Sequence, residues 1–298
     1  MVTLSDIEQA SARLKNIVHR TPVLTSQALN EWTGAELYLK CENFQKVGAF
    51  KYRGASNAIM QLDDAALAKG VCTHSSGNHA QALALAAKGR GVPAYIVMPT
   101  SAPKVKRDAV IGYGATVIDC EPTLEARETT AEKVVARYGA TFIHPYDHPH
   151  IIAGQGTAAF ELLQDLPNLD AIIAPVGGGG LMSGTAIAAK GLNSSIRVFG
   201  AEPKGADDAF RSFEAGKLLP QEGPDTFCDG LLTSLGELTW PILRDNLEAV
   251  LLAEDNEILE ALRLIWSRMK IIIEPSCATP VAALRKHLSA TKLEGKKI

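Results

Sequence analysis

Two segments of this sequence, far apart in the chain, carry residue types whose spacing could do chemistry. The first is Pro175-Val176-Gly177-Gly178-Gly179-Gly180-Leu181, a buried-type strand that runs into four glycines and then a helix of small residues. Glycines let the backbone take positive φ and turn successive N–H groups toward one point, and the following helix N-terminus adds partial positive charge. An anion belongs there, and phosphate is the obvious guest. The segment lacks the Lys-Ser/Thr ending of a nucleoside-triphosphate loop, and Met182 and Ser183 occupy the positions where a dinucleotide fingerprint needs its third glycine. A tight turn with close helix–sheet packing is the plainer alternative, although one or two glycines usually suffice for it. The second segment, Gly48-Ala49-Phe50-Lys51-Tyr52-Arg53-Gly54-Ala55, leads into an apolar helix (Ala58, Ile59, Leu62) with two cations near its start, against the helix dipole. A lysine between aromatic neighbours and close to another cation should lose affinity for its proton, which is what an amine needs to form an imine. Taken alone, Lys51 reads more commonly as a lysine whose stem lies along apolar surface.

A third segment, Thr73-His74-Ser75-Ser76-Gly77-Asn78-His79-Ala80-Gln81, is a polar turn at a strand-to-helix junction. Such a junction presents N–H groups and hydroxyls to a carboxylate. Ser76 and Asn78 are equally common as helix N-caps, and His79 as a packed core histidine. No Ser/His/Asp order argues for a hydrolase triad.

These segments need elements to position them. Short β-rich runs alternate with longer stretches of helical period, the pattern of βαβ units feeding a mostly parallel sheet, so the fold class is α/β. Strands are predicted at Leu37–Lys40, Ala94–Met98, Thr116–Cys120, Ala171–Val176, Arg197–Ala201 and Ala249–Leu252. Helices are predicted at Asn78–Lys88, Thr123–Tyr138, Gly154–Gln164, Leu181–Lys190, Asn256–Lys270 and Pro275–Leu288, with Pro280 marking a kink or a later start in the last. Ser5 and Glu8 read as a capping box at the N-terminus, and with Asp6 they interrupt the apolar core a signal peptide would need.

A chain of 298 residues, 46% hydrophobic and 21% charged, can bury one large α/β core or two domains sharing a cleft. With 30 basic and 33 acidic residues and no long basic run, the footprint of a nucleic-acid binder is missing, and small molecules are the expected partners. No apolar run is long enough to span a bilayer. Cys41, Cys72, Cys120, Cys228 and Cys277 are scattered singly, which suits reduced structural thiols and a cytoplasmic location.

Taken together and in order, the motifs resemble one family. They are Cys41-Glu42-Asn43-Phe44-Gln45-Lys46 leading to Phe50-Lys51, Ser75-Ser76-Gly77-Asn78-His79, Ala153-Gly154-Gln155-Gly156-Thr157, Gly177 to Gly180, and Glu274-Pro275. Over nearly the whole chain the sequence resembles the serine/threonine dehydratase and serine racemase group of pyridoxal-phosphate enzymes, fold type II, similar to the tryptophan synthase β chain in architecture. The resemblance is strongest to the serine racemase and 3-hydroxyaspartate dehydratase branch.

The resemblance implies that Lys51 holds pyridoxal 5'-phosphate as an imine and later takes the α-proton, that Phe50 packs on the cofactor ring, and that Asn78 bonds the ring hydroxyl. It implies that Gly177, Gly178, Gly179, Gly180 and Leu181 give N–H groups to the phosphate. Ser76 matches the hydroxyl on the opposite face, and Ser75, Ser76, Asn78 and His79 would surround the substrate carboxylate. His74 and Arg127 match positions near the substrate pocket, where an arginine could pair with the second carboxylate of 3-hydroxyaspartate; a surface ion pair within Glu125-Ala126-Arg127-Glu128 is the alternative. Glu202, Ala206 and Asp208 match positions that hold Mg2+ or Ca2+, Ala206 through its carbonyl.

The implied activity is a dehydratase, an ammonia-lyase acting on a small β-hydroxy amino acid. Serine racemase with a dehydratase side activity and a non-catalytic phosphate-ligand sensor are the alternatives. The implied architecture is a large cofactor domain, 1–46 and 148–298, interrupted by a small domain, 47–147, with the cofactor between them, and a homodimer as the assembly. Lys297-Ile298 looks like the beginning of a further strand, which in the family ends in a Ser-Gly-Gly turn facing the pyridine nitrogen.

Overall fold

The alternation of short apolar runs with helical stretches resolves into two separate parallel sheets in a computed structural model, which describes residues 2–298. The strands are β1 (Val23–Leu24), β2 (Leu39–Lys40), β3 (Val71–His74), β4 (Ala94–Pro99), β5 (Thr116–Cys120), β6 (Thr141–Phe142), β7 (Ala171–Pro175), β8 (Arg197–Pro203) and β9 (Ala249–Ala253). One sheet has the order β5-β4-β3-β6 and the other β7-β8-β9, parallel throughout, while β1 and β2 form a small antiparallel pair. Parallel neighbours need crossovers, and helices such as Asn78–Arg90 and Gly180–Leu192 supply them. Among the described residues, no helix is long and apolar enough to cross a membrane.

Each sheet has its own core. Ile59, Leu83, Ile96 and Ile151 pack around the four-stranded sheet, and Phe199, Leu262 and Leu284 lie on one face of the other, with Met182 and Leu243 in a further cluster. Helix Pro149–Asp165 is buried along most of its length, and helix Lys51–Ile59 crosses it at close range. The crossing is possible because both helices present glycine: a Cβ at Gly154 would lie 2.6 Å from Gly54 Cα. The helix that begins with Lys51 is therefore pinned to a rigid neighbour.

The observed elements depart from the predicted ones in instructive places. The capping box at the N-terminus is Thr3 with Asp6 rather than Ser5 with Glu8, because the helix starts at Leu4 and Thr3 has the extended φ/ψ of an N-cap. The last helix runs from Pro275 to Thr291 straight through Pro280. The predicted strand Leu37–Lys40 is divided between two partners: Leu39 and Lys40 pair with β1, while Tyr38 N donates to Ile298 O at 2.7 Å. On its other side this C-terminal segment accepts from Asp170 N at Lys297 O, at 2.8 Å, so Lys296–Ile298 is sandwiched between residues 36–38 and 170–171.

Candidate active site

The C-terminal ends of the parallel strands collect nearly all the residues singled out by the sequence. After β7, Val176 N still bonds Ala201 O of β8, and the chain then turns through Gly177–Gly180 into helix Gly180–Leu192. Gly179 has φ +86, and a Cβ there would sit 2.8 Å from the Thr239 side chain. Thr239 Oγ1 donates to Gly178 O at 2.9 Å, which occupies the loop's carbonyl in the interior and leaves the helix start to present N–H groups. A Cβ on Gly178 would lie 2.3 Å from the ring of Tyr146, so glycine is demanded by contact at Gly178 and by conformation at Gly179.

Lys51 opens its helix after two consecutive left-handed residues, Val47 at φ 57 and Gly48 at φ 71. For β-branched Val47 this is a strained geometry, of the kind that clusters at functional sites. Lys51 Nζ donates to Pro145 O at 2.8 Å and lies 5.3 Å from the centre of the Phe50 ring and 6.0 Å from that of Tyr146. Burial lowers its ammonium from 10.5 to about 8. The sequence argument credited a neighbouring cation, and the structure corrects it. Arg53 is fully buried in a network with Glu42 and Glu161, so its charge is spent on carboxylates and does not act on Lys51. That pairing also explains how two cations are tolerated at one helix start.

The polar turn Ser75-Ser76-Gly77 follows β3 and leads into helix Asn78–Arg90, as the strand-to-helix reading requires. Asn78 Nδ2 donates to both oxygens of Glu274, each at 2.9 Å. Glu274 is the N-cap of the helix Pro275–Thr291, so this contact ties the start of the helix after β3 to the start of the last helix. His79 is 2% exposed, with Nε2 beside Ile143 O at 3.3 Å. The side chain is packed in the core, as the plainer sequence reading had it, so a contact of His79 with a carboxylate would have to come from its backbone N–H at the helix start.

His74 ends β3, its ring centre 5.5 Å from Phe142 and 6.4 Å from His144. Burial, with Arg127 nearby, lowers the His74 pKa, Glu128 opposing. Arg127 is therefore near enough for its charge to act on His74, and its Nε is buried without a hydrogen-bond partner. The surface ion pair that offered the alternative reading does not form among the described residues.

Glu202 and Asp208 are both fully buried. Glu202 accepts from Ala209 N and Phe210 N, and Asp208 Oδ2 from Leu235 N at 2.8 Å, while Asp208 Oδ1 has no partner. Burial and the facing Asp208 push the Glu202 carboxyl well above its ordinary range, and burial raises Asp208 to about 6. Buried Ala206 lies between them in sequence. Among the described residues no group of three or more His, Cys, Asp or Glu could hold a metal, so any cation here depends on backbone oxygen as well.

Two neighbours of Lys51 were not found by reading the sequence, His144 and Tyr146. They flank the carbonyl that Lys51 bonds, in a His-Pro-Tyr-Asp-His-Pro-His run that offers no helical or strand period. Burial pushes the Tyr146 phenol up to about 12 and lowers His144 to about 4.

A glycine anion loop, a desolvated lysine and a polar helix start agree with what comparison with known proteins shows: residues 14–298 fit the family described as pyridoxal-phosphate dependent enzyme. The chain belongs to that family. A serine racemase of Dictyostelium discoideum is 53% identical over 100% of this chain and 92% of its own length. A β-hydroxyaspartate dehydratase of Paracoccus denitrificans is 49% identical over 97% of this chain and 91% of its own. The solved structure of maize serine racemase superposes with a TM-score of 0.97 at 46% identity, covering 99% of this chain and 91% of that one. The fold is that of the type II enzymes, and the chain is a pyridoxal-phosphate-dependent enzyme.

Proposed function

We propose that this enzyme is an ammonia-lyase that eliminates water from a small β-hydroxy-α-amino acid and yields a keto acid and ammonia, with 3-hydroxyaspartate favoured over serine and threonine. The observation that carries this reading is the Lys51 amine, desolvated, free of any carboxylate among the described residues, and held on Pro145 O beside the Tyr146 ring that packs against Gly178. The residues fit pyridoxal phosphate: backbone N–H groups of Gly177, Gly178, Gly179, Gly180 and Leu181 suit the phosphate, and Phe50 suits the ring face. When bound, the cofactor supplies the electron sink that weakens the bond from the α-carbon to hydrogen.

The rest is the work of this chain. Lys51 would hold the cofactor through Nζ and, once free, would take the α-proton at the same atom; an amine titrating near 8 is a competent base at neutral pH. Asn78, its amide held by Glu274, would bond the ring hydroxyl. Ser75, Ser76, Asn78 and the His79 N–H hold the α-carboxylate, as N–H groups and hydroxyls at a helix start do. His74 and Arg127 read the second carboxylate of hydroxyaspartate, a role favoured by the unpaired Arg127 Nε. The second reading, racemisation of serine, is favoured by the serine racemases among the relatives and by Ser76, which would exchange a proton on the face away from Lys51.

Glu202 and Asp208, with the Ala206 carbonyl, form the proposed site for Mg2+ or Ca2+. Two buried carboxylates and an unpartnered oxygen are what a hard divalent cation satisfies. Asp208 grips Leu235 N, and Leu235 packs against Gly179, so the ion would brace the phosphate loop. We also assign the small domain to 47–147 and the assembly to a homodimer, which sedimentation checks. The test of the function is kcat/KM for keto-acid release from each stereoisomer of 3-hydroxyaspartate, serine and threonine. Preference for a hydroxyaspartate isomer that collapses in Arg127→Gln supports it; better turnover of serine or threonine, or racemisation without keto acid, overturns it.

A further inference from the structure

The segment His144-Pro145-Tyr146 clamps Lys51, and only part of that clamp is used by the roles given above. Pro145 O accepts from Lys51 Nζ at 2.8 Å, the Tyr146 ring lies beneath the same nitrogen, and the His144 ring meets Tyr146 edge-on at 4.6 Å and 87°. His144 Nδ1 accepts from two backbone N–H groups, Asp147 at 2.8 Å and Tyr146 at 3.3 Å. With Nδ1 fixed as an acceptor, the proton of the neutral ring sits on Nε2, and the imidazole presents a donor there. Burial, with His74 and Lys51 near, keeps the ring neutral at physiological pH.

The order of groups matters more than any single contact. Lys51 influences His144, His144 lies 6.4 Å from His74, and His74 feels Arg127. A substrate whose α-carbon faces Lys51 and whose far carboxylate faces His74 and Arg127 carries its β-carbon between them, beside His144.

We propose that His144 is a catalytic residue whose Nε2–H donates a hydrogen bond to the β-hydroxyl oxygen as that oxygen departs. This rests on the proposed elimination and deepens it. In the step, Lys51 takes the α-proton and the electron pair of that bond becomes the new carbon–carbon double bond. The bond from the β-carbon to oxygen breaks with its pair on oxygen, and the proton carried by Lys51 ends on that oxygen, which leaves as water. His144 transfers no proton. It stabilises the charge that gathers on oxygen as the bond breaks, and a neutral donor does so without repelling the protonated Lys51.

The alternative is that His144 only caps the 146–147 turn. His144→Asn separates the two, because asparagine Oδ1 accepts from the same pair of N–H groups as an Asx-turn while nothing replaces Nε2. The holoenzyme is assayed with the hydroxy substrate and with β-chloroalanine, whose chloride leaves without a hydrogen-bond donor. The expected result is a drop in kcat/KM of about 10- to 100-fold for the hydroxy substrate, with β-chloroalanine within about threefold of wild type and the visible absorbance of the bound cofactor retained. Equal loss on both substrates, or no loss on either, overturns the proposal. If His144→Asn fails to fold, His144→Ser, whose hydroxyl can accept from the same turn and cannot reach the Nε2 position, faces the same comparison. A wild-type protein that never binds the cofactor at all, or turns over neither substrate, would instead refute the elimination reading on which this rests.

Discussion

Replacing Arg53 by methionine should be among the most destabilising single changes available in this chain without touching the cleft. The guanidinium is 0% exposed. Its Nε and Nη2 bond both Glu42 oxygens at 2.8 and 2.9 Å, and Nη1 and Nη2 bond both Glu161 oxygens at 2.8 and 2.9 Å. Lys40 adds a second cation, 2.8 Å from Glu161 Oε2, so the cluster is neutral with two charges of each sign. Methionine fills comparable volume but leaves two largely buried carboxylates against Lys40 alone. Breaking a buried pair in this way costs about 3–5 kcal/mol, against a total stability of about 5–15 kcal/mol. With an m-value of about 3 kcal/mol/M the urea midpoint falls by about 1–1.7 M, measured at fixed cofactor concentration because ligand binding shifts the apparent stability. Arg53→Met/Glu42→Gln, which restores neutrality, should recover part of the loss. Although burial opposes it, Arg53 and Lys40 hold the Glu161 carboxyl below its ordinary range. A depressed folded-state pKa gives stability that is present above the unfolded value and lost as pH falls through the folded one, so acid should weaken the wild type more steeply than Arg53→Met. A loss below about 1 kcal/mol, or no recovery in the double variant, would refute the reasoning.

Other expectations follow from the site. The free Lys51 amine titrates near 8, so the rate of cofactor loading should rise with pH and level off above about 9; a rate still climbing toward 10.5 would mean an ordinary, solvated lysine. Gly178→Ala drives a Cβ into the Tyr146 ring, 2.3 Å away, and overpacking of about 1–3 kcal/mol should weaken cofactor binding by about 5- to 150-fold in equilibrium dialysis, whereas an unchanged affinity contradicts the close contact. Asp208, raised to about 6, favours the folded state at acid pH and destabilises it once the pH passes through that value, so Mg2+ or Ca2+ should raise the Tm more at pH 7.5 than at pH 5; a pH-independent effect argues against these carboxylates as ligands.

What the sequence disclosed, and what it hid, divides along the range of the interactions. The glycine loop was legible because Gly177–Gly180 is a local conformational demand, stated in consecutive residues. The strand before His74 was implied by the turn that follows it, yet its extent was not delimited: Val71-Cys72-Thr73-His74 is too short and too polar to show a period, although it lies between β4 and β6. The Arg53 network was invisible because its partners stand 11 and 108 residues away, and without them the cation beside Lys51 looked like the agent of its pKa. His79 was read both as part of the turn around the carboxylate and as a packed core histidine, and helix phase does turn its ring into the core; His74 and Arg127 were read as a pair from the resemblance alone, because β3 and a separate helix bring them near each other. His144 and Tyr146 carry no signal of their own; they matter because β6 delivers them to the carbonyl that Lys51 bonds.

The most direct test of the proposed chemistry is where the cofactor attaches. Loaded with pyridoxal phosphate, reduced with borohydride and digested, the protein should yield a single labelled peptide containing Lys51, and Lys51→Ala should lose both the yellow colour and keto-acid release. A label on another lysine, or a Lys51→Ala protein that keeps its colour and full activity, would contradict the assignment.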